Sequence, residues 1–160
     1  MRTMIISSII VLFAGISAFA GDRPAGYYGL GPRLGVTSNP DQVHFGMHLD
    51  LGELTPNLMM VPNLEVGLGD HVTSIAPSFE LDYRFRSSWG VWSPYAGGGI
   101  GPVFYSVDNY GSETDAGFYV QGGIMKGFVG RNSGYFFIEA KLGLIDAPDA
   151  KFTVGWTFAQ

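Results

Sequence analysis

The side chains whose types and spacing invite a chemical reading are three histidines, a serine, a set of carboxylates and one glycine run. His44 and His48 are four apart. On a helix that interval suits a metal pair. On a strand, at about 3.3 Å per residue, it leaves the two on one face about 13 Å apart, too far for a single ion. The neighbours alternate, Val43, Phe45, Met47 and Leu49 against His44, Gly46, His48 and Asp50. The strand geometry therefore applies, and the histidines read as polar filler of an interior. His71, Ser74 and Glu80 are candidate parts of a nucleophilic site, but His71 falls in a turn and Glu80 falls on an inward face. Gly97-Gly98-Gly99-Ile100-Gly101 has no helix after it to offer an N-terminus to phosphate, so it reads as close strand packing at a barrel corner. No cysteine is present, which excludes disulfides, thiolate chemistry and Cys-based zinc. No catalytic, cofactor-binding or metal-binding residue is expected.

The elements that carry these residues repeat with period two, the mark of strands whose faces meet different media. The chain is organised around its final hairpin, Tyr135 to Phe158. Phe136, Ile138, Ala140, Leu142 and Leu144 oppose Tyr135, Phe137, Glu139, Lys141 and Gly143; Phe152, Val154, Trp156 and Phe158 oppose Lys151, Thr153, Gly155 and Thr157. Upstream, strands are expected over 27–37, 42–52, 61–69, 74–86, 92–107 and 114–129, with 53–57 a proline-containing connection. The faces of 92–107 stay unassigned, because glycine fits either. Pro62 and Pro94 fall at strand starts, whereas Pro77 and Pro102 fall inside strands and point to bulges or displaced boundaries. About eight strands joined by short turns must be antiparallel, and an even-numbered meander can close on itself.

Composition agrees. Of 160 residues, 24 are glycine, 14% are aromatic and only 14% are charged, which suits strands and tight turns better than a helical enzyme. The net charge of −5 argues against nucleic acid as a partner. Arg2, the apolar run Ile5–Phe13 and Ala18-Phe19-Ala20 form a secretory signal peptide over residues 1–20, leaving 21–160 as one domain. No second long apolar run follows, so a membrane-resident mature chain would have to be a barrel.

The inward faces decide between a lipid-facing and a soluble barrel. They hold Arg33, Asp50, Glu65, Glu80, Asp82, Arg84, Arg86, Glu139, Lys141 and Lys151, with His44 and His48 beside them, while the outward faces carry almost no charge. A soluble barrel would show the reverse. Five acids and five bases on one face imply a paired network in a narrow lumen. With the mature N-terminus on the periplasmic side, Tyr28, Phe85, Trp89, Trp92, Phe128, Phe136 and Phe158 gather at one rim as an aromatic girdle.

The signal peptide, the alternating strands, the Trp92-Ser93-Pro94-Tyr95-Ala96-Gly97-Gly98-Gly99 entry, Val61–Gly67, Glu80–Phe85 and the Phe152–Phe158 ending together resemble small bacterial outer-membrane β-barrel proteins of the OmpA-like or porin-like eight-stranded kind. The resemblance implies an outer-membrane address, lipid as partner, the barrel-assembly machinery during biogenesis and a monomer. The family's last strand usually ends on an aromatic residue; here Ala159 and Gln160 follow Phe158. A structural or surface-interaction role is expected, with short extracellular connections near 38–42, 70–73, 108–113 and 146–149. The alternatives are a narrow pore or small-ligand transport barrel, a lipid-modifying enzyme and a soluble periplasmic barrel. Outer-membrane lipid A deacylases space His and Ser two apart; His71 and Ser74 are three apart.

Overall fold

The computed structural model describes residues 23–107, 111–128, 133–145 and 147–159; the signal-peptide reading lies outside them. They form nine strands: β1 (Gly29–Ser38), β2 (Gln42–Asp50), β3 (Glu53–Thr55), β4 (Leu58–Gly69), β5 (Val72–Arg84), β6 (Ser93–Val107), β7 (Gly111–Phe128), β8 (Gly134–Ile145) and β9 (Ala150–Ala159). All pair antiparallel. β1 pairs with β9, and β2 pairs with β4 past the short β3, so eight long strands close into a ring.

The ring is sheared. Register partners lead from Leu58 through Tyr83, Ala96, Gly122, Ala140, Phe152, Val36 and Val43, and return to β4 at Leu68, ten residues from the start. With a 3.3 Å rise and 4.8 Å between strands, that offset tilts the strands by about 40° and gives a barrel radius of about 8 Å. Such a cylinder has room for side chains and little else.

The faces follow the alternation. Outward residues such as Leu64, Phe79, Leu142, Phe152 and Trp156 are 40–57% exposed, whereas Glu80 is 0% and Glu139 2% exposed. The exterior is apolar and the interior polar, opposite to a water-soluble barrel. On β6, Tyr95 and Val103 point inward and Ile100 and Phe104 outward, which settles the faces that glycine hid.

Several boundaries shift. Residues 53–55 are a strand: β3 pairs back onto β4, so the segment read as a connection is a small hairpin. β4 begins at Leu58, which leaves Pro62 inside a strand. Pro77 and Pro102 mark neither bulge nor boundary. Ile75 pairs with Phe104 and Phe79 with Ile100, so the register is unchanged across the gap and the two prolines stand opposite each other. Neither has an N–H to donate, and the two non-donors share one interruption of the ladder.

Candidate functional site

The barrel interior is built in layers, each set by which inward positions the shear brings level. At the end where β1 begins and β9 ends, Arg23 lies 2.8 Å from Asp50 and its guanidinium sits 4.2 Å over the Tyr28 ring. Arg84 lies 2.9 Å from Glu53. Next comes an apolar layer: Met59, Val61, Tyr95, Met125 and Phe137, with Tyr135 packed against it.

Above it lies the ion cluster. Arg33 stands 3.2 Å from Glu80, 3.3 Å from Glu139 and 3.3 Å from Glu65. The Lys141 ammonium donates to Glu80 and lies 3.4 Å from Glu139 and 3.7 Å from Glu65; Lys151, nearer the opposite mouth, donates to Glu65 at 2.7 Å. Neutral donors complete it. Tyr95 donates to Glu139 (2.8 Å), Tyr119 to Glu80 (3.0 Å), and Gln121 to Asp82 (2.5 Å) and Glu80 (3.3 Å). Buried carboxylates are costly unless paired and hydrogen-bonded; shared partners meet most of that demand here, while Glu65 Oε1 has only ion-pair contacts, with Arg33 and Lys141.

The histidines belong to the wall. His44 bonds Thr37 through Nδ1 (2.8 Å) and Thr153 through Nε2 (3.0 Å); His48 bonds Thr157 through Nε2 (2.7 Å). Each ring leans from β2 across β1 to β9, and each crosses a glycine: Gly35 is the register partner of His44, and Gly31 of His48. A Cβ on Gly35 would lie 2.7 Å from His44 Nε2. The device recurs. Tyr95 on β6 crosses its partner Gly123 on β7 to reach Glu139 on β8, and Tyr119 on β7 crosses its partner Gly99 on β6 to reach Glu80 on β5. These four glycines thus leave space for long side chains to reach a strand two places away.

The sequence-derived residues therefore separate by height. Arg33, Glu65, Glu80, Asp82, Glu139 and Lys141 converge, with Lys151 attached through Glu65. Asp50 and Arg84 sit at one mouth, in ion pairs of their own. Arg86 does not join: β5 ends at Arg84, and Arg86 is exposed beyond it, where inward alternation no longer applies. Tyr95, Tyr119, Gln121 and Glu53 are additions. Tyr119 and Gln121 share the inward parity of their strand, but an amide and a phenol carry no charge to single them out. Tyr95 was masked by the glycines around it, and Glu53 by Pro56.

Tyr28, Phe85, Trp89, Trp92, Phe128, Phe136 and Phe158 all lie at the same end of the barrel, where β1, β4, β6 and β8 begin and β5, β7 and β9 end. Rings of Trp92 and Phe136 are 6.1 Å apart, and those of Phe136 and Trp156 5.0 Å. Ser74 points inward and donates to Gln42 at 2.8 Å, and Glu80 is held in the ion cluster, so these two residues considered for a nucleophilic site are engaged elsewhere.

An apolar exterior, a closed eight-strand ring sheared by ten and a charged interior give the chain the fold of the small outer-membrane β-barrels. Solved structures agree. The chain is similar to the N-terminal β-barrel domain of Pseudomonas aeruginosa OprF (15% identity, 85% of this chain, 99% of that one, TM-score 0.63). It is also similar to Neisserial surface protein A, NspA (14% identity, 84% of this chain, 96% of that one, TM-score 0.59). At these identities the likeness is one of fold. No family model and no curated protein matches the sequence.

Proposed function

We propose that the protein is an integral outer-membrane barrel, exported by its N-terminal leader, whose interior is plugged by charge and whose role is structural or surface-interacting. It folds through the barrel-assembly machinery and works as a monomer in lipid. The observation that carries this reading is the double block across the lumen. The Arg33–Glu80–Glu139–Lys141–Glu65 cluster lies directly above the Met59–Val61–Met125–Phe137 layer. The cavities beside Lys141 and Phe137 hold about 20 Å³ and 10 Å³, against 650 Å³ and 260 Å³ at the two mouths. A conducting path would have to separate ion pairs and then wet an apolar layer, and both steps are costly. We assign no enzymatic role.

The test is single-channel recording on the refolded barrel in a planar bilayer, with heat-modifiable gel migration as proof that the barrel is closed. A heat-modifiable protein with a flat current trace supports the plugged reading. Discrete openings would favour the narrow pore that the two open mouths also suggest. Loss of heat-modifiability together with release into the aqueous fraction without detergent would remove the membrane reading altogether.

A further inference from the structure

Lys126 is the exception to an uncharged exterior. It lies on β7, is exposed, and shares the outward parity of Phe118, Val120 and Ile124; among the described strand residues it is the charged one on that face. Its surroundings are specific. Lys126 is the register partner of Phe136, which in turn pairs with Trp156. Ser93 pairs with Met125, which sets Trp92 beside Lys126 on the other flank. One row thus runs Trp92, Lys126, Phe136, Trp156 across four strands, with the flanking rings 6.1 Å and 5.0 Å apart.

Lys126 is two residues from the end of β7, about 5 Å below the rim along a strand tilted by 40°, and the tilt sets Trp92 nearer the rim and Trp156 deeper. A lysine at that depth can lay its methylenes along the wall and lift its ammonium to the headgroup level. Indole rings there offer an apolar face to acyl chains and an N–H to ester or phosphate oxygens. A cation on a strand flanked by aromatic residues complements a phosphate carried on acyl chains.

Resting on the membrane-barrel reading, we infer that Trp92, Lys126, Phe136 and Trp156 form a binding site for one anionic phospholipid of the leaflet at the aromatic rim. The Lys126 ammonium takes the phosphate, and the first segment of an acyl chain lies on the three rings.

The protein's three tryptophans, Trp89, Trp92 and Trp156, all stand near this rim and report on it. The refolded full chain is placed in phosphatidylcholine vesicles containing either brominated phosphatidylglycerol or brominated phosphatidylcholine at equal mole fraction, and tryptophan quenching is followed. Brominated phosphatidylglycerol should occupy the site about fivefold more favourably, the preference expected for one surface lysine. Lys126→Gln should abolish that preference, Lys126→Arg should keep it, and salt should weaken it. Equal quenching by both lipids in the wild type, or a preference that survives in Lys126→Gln, would overturn the site while leaving the barrel reading intact. No quenching by either lipid would mean no insertion, and would overturn both.

Discussion

Tyr95 and Glu139 stand on strands that are not neighbours, yet the phenol donates to the carboxylate at 2.8 Å across Gly123 of the strand between them. The ion cluster depends on such crossings. Without them, Glu139 and Glu80 would each lose a neutral donor in a space with little room for water.

Gly123 is therefore an interior spacer, and its neighbour Gly122 is not. A Cβ at 123 would come within 2.4 Å of the Ile138 carbonyl and 2.7 Å of the Tyr95 hydroxyl, whereas at 122 the nearest atom is 3.7 Å away. Gly123→Ala should cost about 1–3 kcal/mol through overpacking, and Gly122→Ala should be neutral or stabilise by up to about 1 kcal/mol. Urea unfolding of the refolded barrel, followed by tryptophan emission, separates the two.

Arg33 and Arg84 are both paired but differ in setting. Arg33 is 2% exposed and touches three glutamates; the Arg84 side chain is 32% exposed and touches one. Arg33→Met leaves buried carboxylates short of a cation and should destabilise by about 3–5 kcal/mol. Arg84→Met should cost less, about 1–3 kcal/mol, because Glu53 is buried but keeps the Asn57 N–H, and only the arginine end of the pair reaches solvent. The same unfolding midpoints decide; equal losses would contradict the layered interior.

Thr153 is 0% exposed and holds His44 Nε2 at 3.0 Å. Thr153→Val keeps the shape and removes the partner, stranding a buried ring nitrogen. The expected loss is about 1–3 kcal/mol. A smaller loss in the double variant with His44→Phe than the two single losses combined would identify the contact as the cause.

The exterior can be tested by depth. Leu64 is outward near mid-height on β4, and Leu68 is outward next to the end of the same strand. Leu64→Arg should cost about 2–4 kcal/mol in a bilayer and Leu68→Arg about 1 kcal/mol or less. In a soluble barrel neither would matter, so near-zero costs at both positions would sink the lipid-facing assignment.

The inward and outward sets could be read along each strand because period two is a property of one extended chain and needs no partner. Glu80, Glu139 and Phe79 were assigned to faces on that basis, and their exposures of 0%, 2% and 40% follow it. Where glycine and proline blur the alternation, the faces are not legible from one strand alone. Gly97, Gly98, Gly99 and Gly101 occupy both parities, which hid Tyr95; Pro56 disguised the hairpin that carries Glu53; and Arg86 kept the right parity beyond the point where its strand ends.

Alternation along one strand determined which residues enter the barrel. Which of them meet was decided only by the closed tertiary structure. Arg33, Glu80 and Glu139 come from β1, β5 and β8 and touch because the ring closes with an offset of ten, which lifts each strand by a definite amount relative to the next. That offset belongs to the pairing of all eight long strands at once, and a different closure of the same faces would bring different charges to one level.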